Sequence, residues 1–202
     1  MKIEEDDRMK NIWKYYCYIG IIIWMFSTIF HSRDFWLTEL LDYFGAFGIV
    51  CYTFYVSIIF TFPWLQRNQD GLKINYFIAG CLIAFYSTRV LLFLTGIDYG
   101  LNMFYCIILS IITGIIYITW ILKEIIQGKK RESLKYLGII IGIGLISACF
   151  EILDFPPILW IIDAHSIFHA LTIPTPLLLA KFAYEESEYE QGRRKMVIGK
   201  YV

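Results

Sequence analysis

Charge is scarce in this sequence. Asp, Glu, Lys and Arg make up 18% of its 202 residues, against roughly 25% in soluble domains. Apolar residues reach 58% and aromatics 18%, and the mean hydropathy is +0.58. A water-soluble domain could not cover that much apolar surface, so the composition points to a multi-pass membrane protein. Closely spaced cysteines are missing too. Cys17, Cys51, Cys81, Cys106 and Cys149 stand far apart inside apolar runs, which argues against a disulfide framework and a cysteine-type zinc site. They read as buried free thiols used as small hydrophobes. No low-complexity linker, internal repeat or second domain is visible. Nor is a cleavable signal peptide expected, because the start is charged (Glu4, Glu5, Asp6, Asp7, Arg8, Lys10) and the first apolar run leads straight into candidate site residues. Zero net charge by itself says nothing about partners, and nothing in the sequence points to nucleic acid or to a protein partner.

What is present is long apolar runs. A spanning helix needs about 20 mainly apolar residues, and six runs qualify, over 12–31, 42–63, 74–94, 99–122, 134–151 and 157–181. Irregular backbone does not survive against lipid, so the expected fold is all-α, a polytopic transmembrane helix bundle with sequential spans antiparallel. Pro63 closes the second run, and Pro156 and Pro157 are expected to stop the fifth and start the sixth. Gly138 and Gly142 form a small-xxx-small pair that predicts a close packing face. The expected organisation is a cytoplasmic segment 1–11, a transmembrane domain 12–181 and a polar cytoplasmic tail 182–202, solvated and poorly ordered.

Six spans place both termini on one side. That side collects every basic residue except Arg33 and Arg89, sixteen of the 18 in all, which makes it cytoplasmic by the positive-inside rule. The opposite face carries Asp34, Glu39, Asp42, Asp98, Glu151, Asp154 and Asp163, and all three histidines lie in the half of the bundle nearest to it.

Histidine is the scarcest informative residue, with 3 in the chain. His165 and His169 are four apart, on one helix face with Cβ atoms about 5–6 Å apart, so both imidazoles can reach one metal ion. His31 ends the first run at a similar depth. Three nitrogen ligands and one open position is the arrangement of a catalytic zinc. Ser27 precedes His31 by four, and Asp42, in the first turn or so of the second helix, is expected at the membrane level of His31. A carboxylate there can accept and return a proton, and a hydroxyl can hold an oxyanion. A lone histidine in an apolar helix is commonly a hydrogen-bonded core residue, so a non-metal proton relay or ligand pocket stays open beside the metal. Arg89 and Asp98 flank the same mouth, as a phosphate-binding cation with its neighbour or as a snorkelling or structural ion pair. Glu151, Asp154 and Asp163 are either partners that orient the histidines or a wet loop.

Three motifs carry a resemblance. Trp24 to Asp34 (WMFSTIFHSRD) with Leu37 to Phe44 (LTELLDYF), then Asp98-Tyr99-Gly100-Leu101-Asn102, then Glu151 to Pro157 (EILDFPP) followed by Trp160, Asp163-Ala164-His165 and Phe168-His169, resemble in order the signatures of the post-GPI-attachment-to-proteins factor 3 family. Phe168 stands where that family is expected to have Trp. The family belongs to the CREST superfamily of membrane hydrolases, with the alkaline ceramidases. The resemblance implies a seven-helix bundle with an intramembrane zinc held by His31, His165 and His169, and Ser27 and Asp42 at the water it activates. It implies a phospholipase A2-type hydrolase that removes the sn-2 acyl chain from GPI-anchored proteins in the Golgi or endoplasmic reticulum, with the site near the luminal face. Members resembling this chain begin with a signal peptide, a luminal domain and one further helix, so the seven-helix bundle is expected here without its first helix. A ceramidase-like amide hydrolase and a non-catalytic assembly factor or receptor for GPI proteins are the alternatives.

Overall fold

The computed structural model describes residues 3, 7–96 and 98–198, with side chains described through residue 192. Every regular element among them is a helix, and the one β-bridge joins Ile158 and Ile162. Six stretches are long and apolar enough to cross a membrane, matching the six expected runs in number and order. The chain divides into two compact units, Arg8–Tyr117 and Ile118–Val202, the latter counted with Met1–Asp7.

The first unit contains α1 (Lys10–Ser32), α2 (Trp36–Thr61), a short 3-10 helix (Pro63–Gln66), α3 (Gln69–Phe93) and most of α4 (Tyr99–Ile126). Helix α1 packs along α2, with the Tyr16 hydroxyl 2.7 Å from that of Thr53 and the Trp13 and Phe60 rings 6.2 Å apart. Arg8 donates to the carbonyls of Ile59 and Phe60 at 3.0 and 2.9 Å, satisfying acceptors that the end of α2 leaves unpaired. Helix α2 begins six residues before the expected start. Thr38 makes the difference: its hydroxyl accepts the Phe35 N–H at 3.1 Å and donates to the Phe35 carbonyl at 2.8 Å, so Trp36 to Leu41 enter the helix. Helix α3 also begins early, because Asn68 accepts the Gly71 N–H at 3.2 Å as an N-cap. Only glycine fits at 71, where a Cβ would stand 2.2 Å from the Trp64 carbonyl.

The second unit contains the end of α4, α5 (Ser133–Leu153), α6 (Ala164–Thr172) and α7 (Thr175–Ile198). Three expectations are corrected here. The final run is not one helix starting at the prolines. Pro156 and Pro157 lie in a non-helical stretch, and the Asp163 cap sets the start of α6 instead. Pro174, which has no N–H to donate, separates α6 from α7. Nor does order end at Lys181, since α7 continues and buries Phe182, Ala183, Glu186 and Ser187. Finally, among the described residues a Cβ at Gly138 or Gly142 would meet nothing within 4 Å, so this pair forms no close packing face among them.

Between α5 and α6 the chain makes a tight turn. The Ile158 N–H donates to the Ile162 carbonyl at 2.8 Å and the Ile161 N–H to the Ile158 carbonyl at 3.1 Å. Leu159 and Trp160 at its tip take left-handed φ values of 54° and 62°, and the Trp160 side chain is almost wholly exposed.

Helix α7 stays ordered because its charges have a partner. Arg131 pairs with Glu186 and, at 2.6 Å, with Glu124, while Ser133 donates to Glu186 at 2.8 Å. The guanidinium lies 4.0 Å from the Tyr189 ring centroid and 5.4 Å from that of Trp120. Arg131→Ala leaves the buried Glu186 without its cation and Glu124 with Lys129 alone, at 2.9 Å, and is expected to cost about 3–5 kcal/mol, read as a lowered Tm of the purified protein in detergent. Lys73→Ala removes only an exposed pair with Asp70 and should change stability by less than about 1 kcal/mol. Equal Tm losses in the two variants contradict the clamp.

Candidate functional site

Helix α6 is short, and its start is defined by a capping box. Asp163 Oδ1 accepts the Ser166 N–H at 2.7 Å, and the Asp163 N–H donates to the Ser166 hydroxyl at 3.0 Å. The donated Ser166 backbone N–H, with the Ser166 hydroxyl second, holds the Asp163 carboxyl below its ordinary pKa. Asp163 is therefore a helix cap, and its charge also interacts with His165.

The cap fixes the register that stacks His165 and His169 one turn apart. Their Nε2 atoms are 2.9 Å from each other, with the rings nearly perpendicular at 86°. Phe168 stacks on His165 at 6.0 Å between centroids and 20° between planes. Glu151, in the last turn of α5, places Oε2 2.9 Å from His165 Nδ1. An ionised carboxylate only accepts, so Nδ1 carries the proton and donates it. The His165 Nε2 lone pair is then left facing His169. A ring nitrogen aimed by a carboxylate on the other ring nitrogen is the usual support for a metal-binding histidine. Zinc–nitrogen bonds of about 2.0–2.1 Å put two ligands of a tetrahedral ion about 3.3 Å apart, so this pair needs to open by only a few tenths of an ångström. The donor chemistry suits zinc.

Asp154, the other acid of this loop, is exposed and forms the left-handed C-cap of α5 at φ 41°. Of the three acids around α6, Glu151 is the one placed within hydrogen-bond distance of a histidine ring.

In the first unit, Ser27 is buried one turn before His31, which is exposed in the last turn of α1 with its ring 5.1 Å from that of Phe30. Asp42 is half-buried in α2. Because α2 starts at Trp36, Asp42 lies about 9 Å along it, while Ser27 lies about 8 Å back along α1 and His31 about 2 Å back. The Phe30 and Tyr43 rings, on the chain neighbours of His31 and Asp42, lie 6.4 Å apart. Arg89 and Asp98 have separate partners: Arg89 lies 4.9 Å from the Tyr105 ring centroid, and Asp98 accepts the Leu101 N–H at 2.9 Å where α4 begins. Sequence reasoning missed Tyr99, whose hydroxyl donates to Glu39 and whose ring lies 5.0 Å from that of Tyr43. The Asp98–Asn102 motif contained Tyr99 without suggesting its partner.

Helices long enough to span a membrane, with a histidine pair met by a carboxylate, define a class of polytopic membrane protein with a candidate metal site. The chain belongs to the Per1-like family, which it matches over residues 1–187. It is 30% identical over 84% of its length to "GPI-specific phospholipase A2-like PGAP3" of Danio rerio, covering 51% of that protein. It is 28% identical over 86% of its length to the Homo sapiens protein of the same name, covering 52%. To "Post-GPI attachment to proteins factor 3" of Drosophila melanogaster it is 32% identical over 80% of its length, covering 46%. The chain therefore spans about half the length of the curated relatives it matches. No solved structure matches it. The family resemblance seen in the three motifs stands.

Asp163→Ala removes the cap that sets the α6 register. Hydrogen exchange should become clearly faster at the first amides of α6 and stay unchanged in α3. Unchanged exchange in α6 contradicts the role of the cap.

Proposed function

We propose that the chain is a zinc-dependent membrane hydrolase that removes the sn-2 acyl chain from GPI-anchored proteins during lipid remodelling. The Glu151–His165–His169 arrangement carries this proposal: His165 Nδ1 is occupied by a carboxylate and both Nε2 atoms are turned to one point. Family membership and the names of the relatives supply the lipid class. His165, His169 and His31, each offering one ring nitrogen, are proposed as the ligands. Zinc, when bound, supplies Lewis acidity to the ester carbonyl and acidifies water.

The remaining work falls to the chain's own side chains. Asp42 takes a proton from the attacking water and returns it to the leaving alkoxide. The Ser27 hydroxyl donates to the oxygen on which negative charge develops. Glu151 keeps His165 in one tautomer and orientation. The proposed setting is a Golgi or endoplasmic reticulum membrane with both termini cytoplasmic and the site toward the lumen, since the basic residues gather at the opposite ends of the spans.

Asp42→Asn and His169→Ala should each lower sn-2 deacylation by about 100-fold or more, read as the acyl-chain profile of GPI lipids from cells carrying only the variant. Normal chain exchange with His169→Ala defeats the proposal. Glu151→Gln should lower the zinc affinity of the purified protein by about 10–100-fold without removing the protein from the membrane. Unaltered zinc affinity shows that Glu151 does not position a ligand.

A further inference from the structure

A groove of about 590 Å³ runs between α1, α2 and α3, lined wholly within the first unit. Its lining on α2 extends from Leu41 to Tyr55, about 21 Å along the helix. One leaflet of the hydrocarbon core is about 15 Å deep, half of about 30 Å. The groove is therefore long enough for a lipid chain that spans one leaflet.

Its tyrosines turn their hydroxyls to protein partners. Tyr52 donates its hydroxyl to the Ile12 carbonyl at 2.9 Å, Tyr55 to Asn75 Oδ1 at 2.8 Å and Tyr86 to the Phe44 carbonyl at 3.3 Å. All three hydroxyls are committed to protein acceptors, which leaves the rings as apolar lining. Gly45 and Gly48 keep the wall bare. A Cβ there would stand 3.2 Å from Ile23 and 3.3 Å from the Tyr86 ring. At one end the lining reaches Phe26 and Leu41, the chain neighbours of Ser27 and Asp42. At the other end Tyr52 and Tyr55 stand with ring centroids 6.1 Å apart, and Tyr52 meets Tyr16 at 5.7 Å.

We propose that this groove binds one fatty-acyl chain, its carboxyl end beside Ser27 and Asp42, and that the Tyr52–Tyr55 end limits the chain length accepted. The identity of the lipid that brings the chain rests on the hydrolase function proposed above; the groove itself does not. A helix of a second copy seated there is an outcome the test separates, as crosslinks between two copies.

The test uses the full chain in phosphatidylcholine nanodiscs with phosphatidylinositol whose sn-2 palmitoyl chain ends in a diazirine. Photolysis should label Tyr52, Tyr55 or Ala79, as mapped by mass spectrometry. Ala79→Trp, which fills the far end, should lower palmitoyl labelling by about ten-fold and leave labelling by the octanoyl analogue within about two-fold, which also reports that the variant is folded. Labels outside the lining, crosslinks between two copies, or palmitoyl labelling unaffected by Ala79→Trp overturn the proposal. If that variant fails to fold, the label positions in the unaltered chain decide alone. Labelling reads binding and not turnover. Groove labels on a protein without hydrolytic activity overturn hydrolysis alone, and turnover without groove labels overturns the groove alone.

Discussion

The Arg131 side chain is 5% exposed and lies between Glu124 and Glu186. Taking such ions out of water costs several kcal/mol each unless they are paired, so the members of this cluster hold one another in place or none is tolerated. They come from the end of α4, the loop after it and the middle of α7, and the buried Ser133 hydroxyl ties the first residue of α5 to Glu186. Helix α5 is thereby anchored at its start. Its 21 residues make a rod of about 30 Å, and Glu151 sits at the far end, against His165. The charge cluster and the carboxylate that meets the histidine pair thus stand at opposite ends of one helix.

The same constraint shapes the first unit with neutral groups. Several polar groups that the apolar helices carry inward are tied to a neighbour. Tyr52 and Tyr55 bond across to α1 and α3, Tyr86 to α2, and Arg8 covers the carbonyls at the end of α2. These bonds hold three helices in register while leaving a surface of rings and methyl groups along the groove. Ser27 and Asp42 are the chain neighbours of Phe26 and Leu41 at one end of that surface.

The spans were legible because burial in lipid needs unbroken apolar length, and composition reports length directly. The pairing of His165 with His169 followed from helical spacing alone. Helix starts were less visible. Residues 36–41 and 69–73 mix polar and apolar types, and the decisive groups there, Thr38 and Asn68, act through one hydroxyl and one amide. Residues beyond Lys181 read as a solvated tail because their charges look unpaired in one dimension. Glu186 meets Arg131, 55 positions earlier, and no local pattern reports that. Glu151 and Asp154 look alike in sequence, yet one points at a histidine and the other ends a helix. Only the direction of the chain after Leu153 separates them.

That direction is set by a segment with little slack. Pro156 and Pro157 fix their own φ, the turn from Ile158 to Ile162 closes on its own hydrogen bonds, and Asp163 starts α6 immediately afterwards. Leu159 and Trp160 hold left-handed backbone that costs about 1–2 kcal/mol per residue, so the turn persists against its local preference. The result is a stiff tether rather than a loose loop. His165 is aimed from one side by a carboxylate and from the other by a leader that has few alternative shapes, so its ring nitrogen is directed before any ligand arrives.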